Sequence, residues 1–581
     1  MERNAGSGGC YAGPVSKMSE AKESKTSAPL GELSAAAEPT LPDRGWVSLS
    51  TRTRLSRWMV AGILLAVILL FAAIRWRLRD APLERDEGEY AYAGQLILQG
   101  IPPYQLAYNM KLPGTYVAYA ALMKVFGETA AGIHLGVLLL NACTTLLLYF
   151  VGRRLYGGLG GVVCAAGYAL LSTSEAVLGL CGHATHFVTL MAVPGVWLLL
   201  IARDSGRWRT YFAAGVCMGL ALVMKQPGAV FILFGVQEIL WNAWQQSAER
   251  KKPAARLIAY SAGAAIPYAA TCVWLYRAGV FDKFWFWTVA YARQYAASTG
   301  AREGFGNLVK MVPQLFWAAP LVWVLAAAGL WITWRTKGAG ALIGFEFGLL
   351  TWSFLGASAG LYYRDHYFIL MLPAVCLLAG KALVWITEEL AARGKTTFVV
   401  LPSAAFALAF GLTLYSQREI FFEMSPAGLV RFLYGGNPFP ESIEFAKYIR
   451  EHSDAEARIG ILGSEPELCF YAARHSATGY IYMYPLMEDQ KYAATMQQDM
   501  IDEIEKNQPE YMVRVLVPAS WLRKPNSDVR VLEWGDKYLD KNYRVVGIAE
   551  IGYQTKYYWD DAALGVAPRS RYSMYLYKRK I

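Results

Sequence analysis

Residues 57–77 read RWMVAGILLAVILLFAAIRWR, and residues 85–105 read RDEGEYAYAGQLILQGIPPYQ. The first stretch is long and apolar enough to cross a bilayer core, which takes about 20 helical residues. The second sets Asp86 beside Glu87 where the chain leaves the membrane, and NMKLPG at 109–114 follows with Lys111. Adjacent carboxylates at a membrane surface are costly and point to function. A reaction site on the far side of the first span is the expectation from which the rest of the chain is read.

Of 581 residues, 55% are hydrophobic and 17% charged, against about 25% charged in soluble domains. The deficit lies in apolar runs at 57–77, 131–152, 158–175, 184–202, 210–224, 227–245, 257–277, 311–334, 340–361, 366–388 and 396–415. They predict a polytopic α-helical membrane protein with about eleven transmembrane helices. Spans five and six are short and meet at KQPG, Lys225–Gly228. Residues 1–54 carry no apolar periodicity and read as a disordered cytoplasmic tail. The apolar stretch begins too late for a signal peptide, and Met18 is an alternative start. The eight cysteines are scattered, without metal-binding spacing.

The net charge of +11 would fit nucleic acid in a soluble protein. Here the basic residues sit in short loops, at Arg153, Arg203–Arg209, Arg250–Lys252, Trp334–Gly338 and Ala391–Lys395. That distribution reports orientation, with loops rich in Lys and Arg on the cytoplasmic side; no nucleic-acid partner is expected. With the N-terminus inside and an odd span count, the C-terminal region falls outside. The same bookkeeping brings Asp86, Glu87, Lys111, His183, His186, Lys225, residues 278–310 and Arg364–His366 to one outer face. Segment 88–99 reads as a juxtamembrane helix lying in the interface, as does 114–127. The run FWFWTVAYARQY, 284–295, reads as an interfacial aromatic belt or as one wall of a groove for a lipid tail.

From residue 420 the pattern becomes that of a small soluble α/β domain, giving three regions: 1–54, 55–419 and 420–581. Helices are expected over 441–450 and in EPELCFYAA. Strands are expected at 457–463, in ATGYIYMY (477–484), at 511–517 and at 543–551. No phosphate-binding glycine loop occurs.

Three elements, RDEGEYAYA, QGIPPYQ and MKLPG, resemble the first loop of the integral-membrane GT-C glycosyltransferases, closest to bacterial relatives of protein O-mannosyltransferases and of the lipid A aminoarabinose transferase. GLALVMKQPG (219–228) is similar to that family's lysine-containing turn, and YYRDHYFILMLPAVCLLAG (362–380) to its Arg-x-x-Tyr span. The resemblance covers about residues 57–520 by order of elements. It implies a GT-C fold with outer juxtamembrane helices, a polyprenyl-phosphate sugar as donor, and a lipid, glycan or protein acceptor at the extracytoplasmic face of a bacterial inner membrane. One departure stands out. Where relatives carry an acid near the start of the fourth span, this chain has LCGHATHF, 180–187, and the nearest acid is Glu175.

A sugar phosphate already carries a good leaving group, so transfer needs a base for the acceptor's proton and cations for the phosphate charge. Asp86 is the expected base and Glu87 its helper, unless both merely cap a helix starting at Gly88. Lys111, Lys225 and Arg364 are the expected phosphate ligands; a snorkelling lysine, or an Arg364–Asp365 pair, is the structural alternative. His183 and His186, at i and i+3, stand in place of the missing acid as donors or a base. Two such ligands do not make a metal site, so no cofactor is expected, with a divalent cation left open. His366 and Tyr90 are accessory candidates. A flippase of a lipid-linked precursor would show internal repeats and midplane charges, which the sequence lacks. An inactive binding member of the family is the other alternative.

Overall fold

The computed structural model describes residues 56–245, 253–336, 340–552 and 554–580. The tail expected over 1–54, the basic loop at Arg250–Lys252 and Lys337 lie outside the described residues.

The apolar runs fold as helices. In chain order these are α1 (Arg57–Arg77), α2 (Arg85–Leu98), α3 (Gly114–Phe126), α4 (Ala130–Leu171), α5 (Ala184–Ser205), α6 (Trp208–Met224), α7 (Ala229–Gln245) and α8 (Pro253–Arg277). They continue as α9 (Phe281–Trp285), α10 (Ala292–Ala297), α11 (Ala301–Ala318), α12 (Pro320–Arg335), α13 (Gly340–Ala357), α14 (Leu372–Ala392) and α15 (Leu401–Ser416). Helix α4 holds two expected spans, joined at Gly157, whose φ of 78° breaks the helical path at a residue without a Cβ penalty.

Among the described residues, five segments are long and apolar enough to cross a membrane by themselves: α1, α4, α5, α8 and 365–392, which ends in α14. The pair α11 and α12 adds a sixth if counted as one span. The chain is thus a helical membrane protein with several apolar helices. The single span expected over 311–334 is instead broken by a bend of 106°. Ala319, at φ −160° and ψ 75°, precedes Pro320, and the proline ring disfavours the helical region for the residue before it.

The C-terminal region opens with α16 (Pro426–Tyr434) and α17 (Phe439–Glu451) and builds one mixed six-stranded sheet. Its strands are β1 (Arg458–Leu462), β2 (His475–Ser476), β3 (Tyr511–Leu516), β4 (Tyr543–Glu550), β5 (Lys556–Trp559) and β6 (Ser573–Arg579), in the order β2-β1-β3-β6-β4-β5. The β1 strand pairs parallel with β2 and β3, and the remaining pairs are antiparallel. Alternation along the strands serves two cores. Ile459, Ile461, Tyr511, Val513 and Val515 face one, with α17 and α18 (Glu467–Ala472). Leu462 and Met512 face the other, with Met496, Met500, Val531 and Leu539.

The strand expected over 477–484 does not form. After the two-residue β2 the chain leaves the sheet, because its tyrosines take partners elsewhere: Tyr480 donates to Asp499, Tyr482 to Asp86 and Tyr484 to the Ala519 carbonyl.

Both cores of the C-terminal domain run on into the juxtamembrane segment. Tyr90, Tyr92 and Leu96 of α2 share the first core; Tyr104, Tyr108, Phe284, Trp287 and Tyr291 share the second. Helix α2 is therefore buried on nearly all sides rather than lying in the lipid interface. The aromatic run 284–295 divides: Phe284, Trp287 and Tyr291 pack inside, Tyr291 and Tyr295 line a cavity, and Trp285 and Val289 stay exposed. Gly88 is a close point of the seam: a Cβ built there would sit 2.7 Å from the Glu467 Cβ and 2.8 Å from its amide nitrogen, on α18.

Because the obstruction at Gly88 includes backbone, overpacking at this point costs on the order of 1–3 kcal/mol. Gly88→Ala is expected to lower the thermal unfolding midpoint of the detergent-purified protein, and an unchanged midpoint would show that the α2–α18 seam yields.

Candidate functional site

The site is built on the first turn of α2. Glu84 is its N-cap: the Glu84 carboxylate accepts from the Glu87 amide at 3.0 Å and the Glu87 carboxylate accepts from the Glu84 amide at 3.3 Å, a reciprocal capping box. The helix therefore starts at Arg85, three residues before the position expected, and its cap is a residue the sequence reading passed over. Glu87 Oε1 also accepts from the Gly182 amide at 2.5 Å and lies 3.0 Å from His134 Nε2. At 1% exposure, Glu87 ties α2 to α4 and to the segment entering α5.

Asp86 turns the other way. Its Oδ1 accepts from Lys111 Nζ at 2.8 Å and from the Tyr482 hydroxyl at 3.0 Å. Its Oδ2 faces His183 Nδ1 at 3.9 Å and His366 Nε2 at 4.0 Å. Lys111 Nζ also contacts Glu89 Oε2 at 2.6 Å and rests over the Tyr90 ring at 4.6 Å. Glu89 in turn accepts from the Tyr116 hydroxyl. Lys111 is thus held by two carboxylates. Burial works against the Asp86 charge, but Lys111, then His366, His183 and Lys225, outweigh it and hold the carboxyl well below the ordinary carboxylate range.

Beside Asp86 opens a cavity of about 190 Å³. Lys111, Lys225, Arg364 and His366 line it, with Tyr291, Tyr295 and Tyr367 from the bundle and Tyr482, Tyr484 and Glu488 from the C-terminal domain. Lys225 lies at the break between α6 and α7, where Pro227 interrupts the helical path. Its Nζ is 4.4 Å from the Tyr367 ring centroid and 3.5 Å from His366 Nε2. Arg364 stands over Tyr362 at 5.6 Å. Neither makes an ion pair with a carboxylate among the described residues. Burial, reinforced by Lys111 and Arg364 against the pull of Asp86, brings the Lys225 amine down to about 7.

The histidines divide. His183, the N-cap residue of α5, stacks on His366 with centroids 4.0 Å apart and 12° between planes. His186 points away: its Nε2 lies 3.1 Å from the Gly179 carbonyl, and it does not line the cavity. Helix begins at Ala184, so the i, i+3 spacing does not align the two rings. Asp86, His183 and His366 bring three ligand atoms within 4.8 Å of one another, a donor set suited to a divalent cation. The arrangement does not fit one as it stands. The Lys225 amine stands 3.5 Å from His366 Nε2 and occupies the space that a second cation would need.

Among the residues missed, Glu89 had a signal: it stands three positions after Asp86, on the same helical face. Tyr482, Tyr484 and Glu488 had none: they lie about 400 residues from Asp86, the two tyrosines in a segment that reads as a strand and Glu488 just beyond it.

Residues 111–274 match the family described as dolichyl-phosphate-mannose-protein mannosyltransferase. The structure is similar to that of ArnT from Cupriavidus metallidurans bound to undecaprenyl phosphate, with a TM-score of 0.56 and 16% identity over 90% of this chain and 98% of that one. It is also similar to the oligosaccharyltransferase of Archaeoglobus fulgidus tethered with an acceptor peptide, with a TM-score of 0.50 and 12% identity over 88% and 75%. Comparison with curated protein sequences finds no match. At these identities the structural likeness shows the fold alone: the chain has the fold of these membrane glycosyltransferases, and its residues 111–274, less than a third of its length, are similar to the dolichyl-phosphate-mannose-protein mannosyltransferase family.

Proposed function

We propose that the protein transfers a sugar from a polyprenyl-phosphate carrier to a lipid, glycan or protein acceptor at the membrane surface. The observation that carries this reading is a pair of cations, the buried Lys225 and the more exposed Arg364, which line the same cavity as Asp86 and have no carboxylate partner among the described residues. As the sugar leaves, negative charge builds on the phosphate, and fixed cations in a site shielded from water favour that change over the ground state. Asp86, kept ionised, takes the acceptor's proton, while Lys111 holds the carboxylate in place. A single base with direct displacement inverts the anomeric centre. The ArnT structure of the same fold carries undecaprenyl phosphate, which supports the carrier class.

The helix ends support one sidedness. Arg154 pairs with Asp204 at 2.5 Å, so two of the basic loops meet at one end of the bundle. Helix α6 runs from there to Lys225 at the other. By the positive-inside rule, the cavity and the C-terminal domain then face away from the cytoplasm of a bacterial inner membrane.

Two outcomes test this reading. Assayed with radiolabelled polyprenyl-phosphate sugars against membrane lipids and peptides, the wild type is expected to transfer label. Asp86→Asn is expected to lose about 10²–10⁴-fold in kcat with its unfolding midpoint retained; full transfer by that variant would remove Asp86 as the base. The second outcome concerns pH. Lys225 binds phosphate as the cation, which is present below about 7 and lost above it, so kcat/KM for the donor is expected to fall on the alkaline side. Lys225→Arg, whose guanidinium stays charged, moves that fall to higher pH. An alkaline limb that does not respond to this substitution would separate Lys225 from donor binding.

A further inference from the structure

The C-terminal domain reaches into the site through one side chain. Tyr482 is 6% exposed, and its hydroxyl donates to Asp86 Oδ1 at 3.0 Å. The segment that carries it belongs to neither strand nor helix, yet it is pinned on both sides. Before it, the Ser476 amide donates to the Tyr92 hydroxyl at 2.8 Å, the Tyr108 amide donates to the Gly479 carbonyl at 2.7 Å, and the Gly479 amide donates to Glu503 at 2.9 Å. After it, the Met483 amide donates to Ser464 Oγ at 2.8 Å and the Tyr484 hydroxyl to the Ala519 carbonyl at 2.7 Å. All five of these bonds tie it to α2, to the first loop or to the sheet domain, so the phenol reaches Asp86 from a fixed origin.

We infer that Tyr482 is a positioning residue for Asp86: its hydroxyl and the Lys111 ammonium together occupy Oδ1 and leave Oδ2 as the oxygen that takes the acceptor's proton. This rests on the transferase reading above. In the step, the acceptor's proton passes to Oδ2 as its oxygen bonds to the anomeric carbon. The bond from that carbon to the phosphate oxygen breaks, and its electron pair leaves on the phosphate, beside Lys225 and Arg364. A carboxylate held through one oxygen presents the other at one place and angle, and such orientation is worth orders of magnitude in rate. The hydroxyl also stabilises the ionised carboxylate, so the C-terminal domain takes part in setting when the base is charged. A domain read from sequence as an appended module becomes a component of the site.

The test compares Tyr482→Phe with Tyr480→Phe in the full-length protein. Tyr480 stands on the same segment and loses a hydroxyl bonded to Asp499 rather than to Asp86. Tyr482→Phe is expected to lower kcat about tenfold, the loss of one hydrogen bond to a charged group, with the donor KM within about twofold, since that hydroxyl makes no contact with the proposed phosphate ligands. Its acid limb moves to higher pH, because a carboxylate that loses a donor binds its proton more tightly. Tyr480→Phe moves neither. Titration of the Asp86 carboxylate by infrared difference spectroscopy, assigned against Asp86→Asn, reads the same hydrogen bond without turnover. An unshifted titration in Tyr482→Phe, or an unshifted acid limb with wild-type kcat, overturns the inference. A shifted titration in a protein that transfers nothing upholds the positioning bond while the transferase reading fails.

Discussion

The run ERDEGE, residues 84–89, is buried almost entirely, and a buried charge is tolerated only when it is paired and hydrogen-bonded. Each member meets that demand with a different part of the molecule. Glu84 caps the helix that it begins. Arg85 donates to the Ser464 carbonyl at 2.5 Å and pairs with Glu465 at 3.0 Å, both in the C-terminal domain. Asp86 and Glu89 share Lys111 from the first loop, and Glu87 takes up His134 and the Gly182 amide. Satisfying one charged turn thus draws the first loop, the membrane bundle and the sheet domain onto a single helix.

This convergence gives neighbouring carboxylates separate tasks. Asp86 and Glu87 are adjacent in the chain, but the helix turns them about 100° apart. One meets the cavity and the other the seam between α2 and α4. The difference lies in what surrounds each: the side chain of Asp86 keeps 23% of its exposure, while that of Glu87 keeps 1%. Among the three cavity cations the same contrast holds. Lys111 spends its charge on two carboxylates, while Lys225 and Arg364 rest on aromatic rings and remain open to an anion. It is this uncancelled charge on which the proposed phosphate site rests.

The apolar runs made the helical membrane class legible, since length and hydropathy are local properties that a bilayer reads directly. The turn at Lys225, the helices over 441–450 and 467–472 and the strands at β1, β3 and β4 were also readable from local pattern. Local preference fails where tertiary partners overrule it. Residues 477–484 have strand composition, but their hydroxyls are claimed by Asp86, Asp499 and Ala519. Residues 311–334 are apolar throughout, but the proline at 320 turns them through a right-angle bend.

The sequence by itself determined that the chain is built around a membrane, that its ionisable groups gather in a few loops, and that Asp86, Lys111, Lys225, Arg364 and His366 are candidates for one site; composition and spacing carry that much because burying charge in an apolar chain is expensive. Only the tertiary structure decided how those residues divide. It set Glu87 and His186 into packing and brought His183 against His366. It placed Tyr482 and Glu488 at a cavity whose other walls come from residues 86–367. No local signal records such an approach, because which oxygen of Asp86 stays free depends on the simultaneous arrival of Lys111 and Tyr482 from two separate parts of the fold.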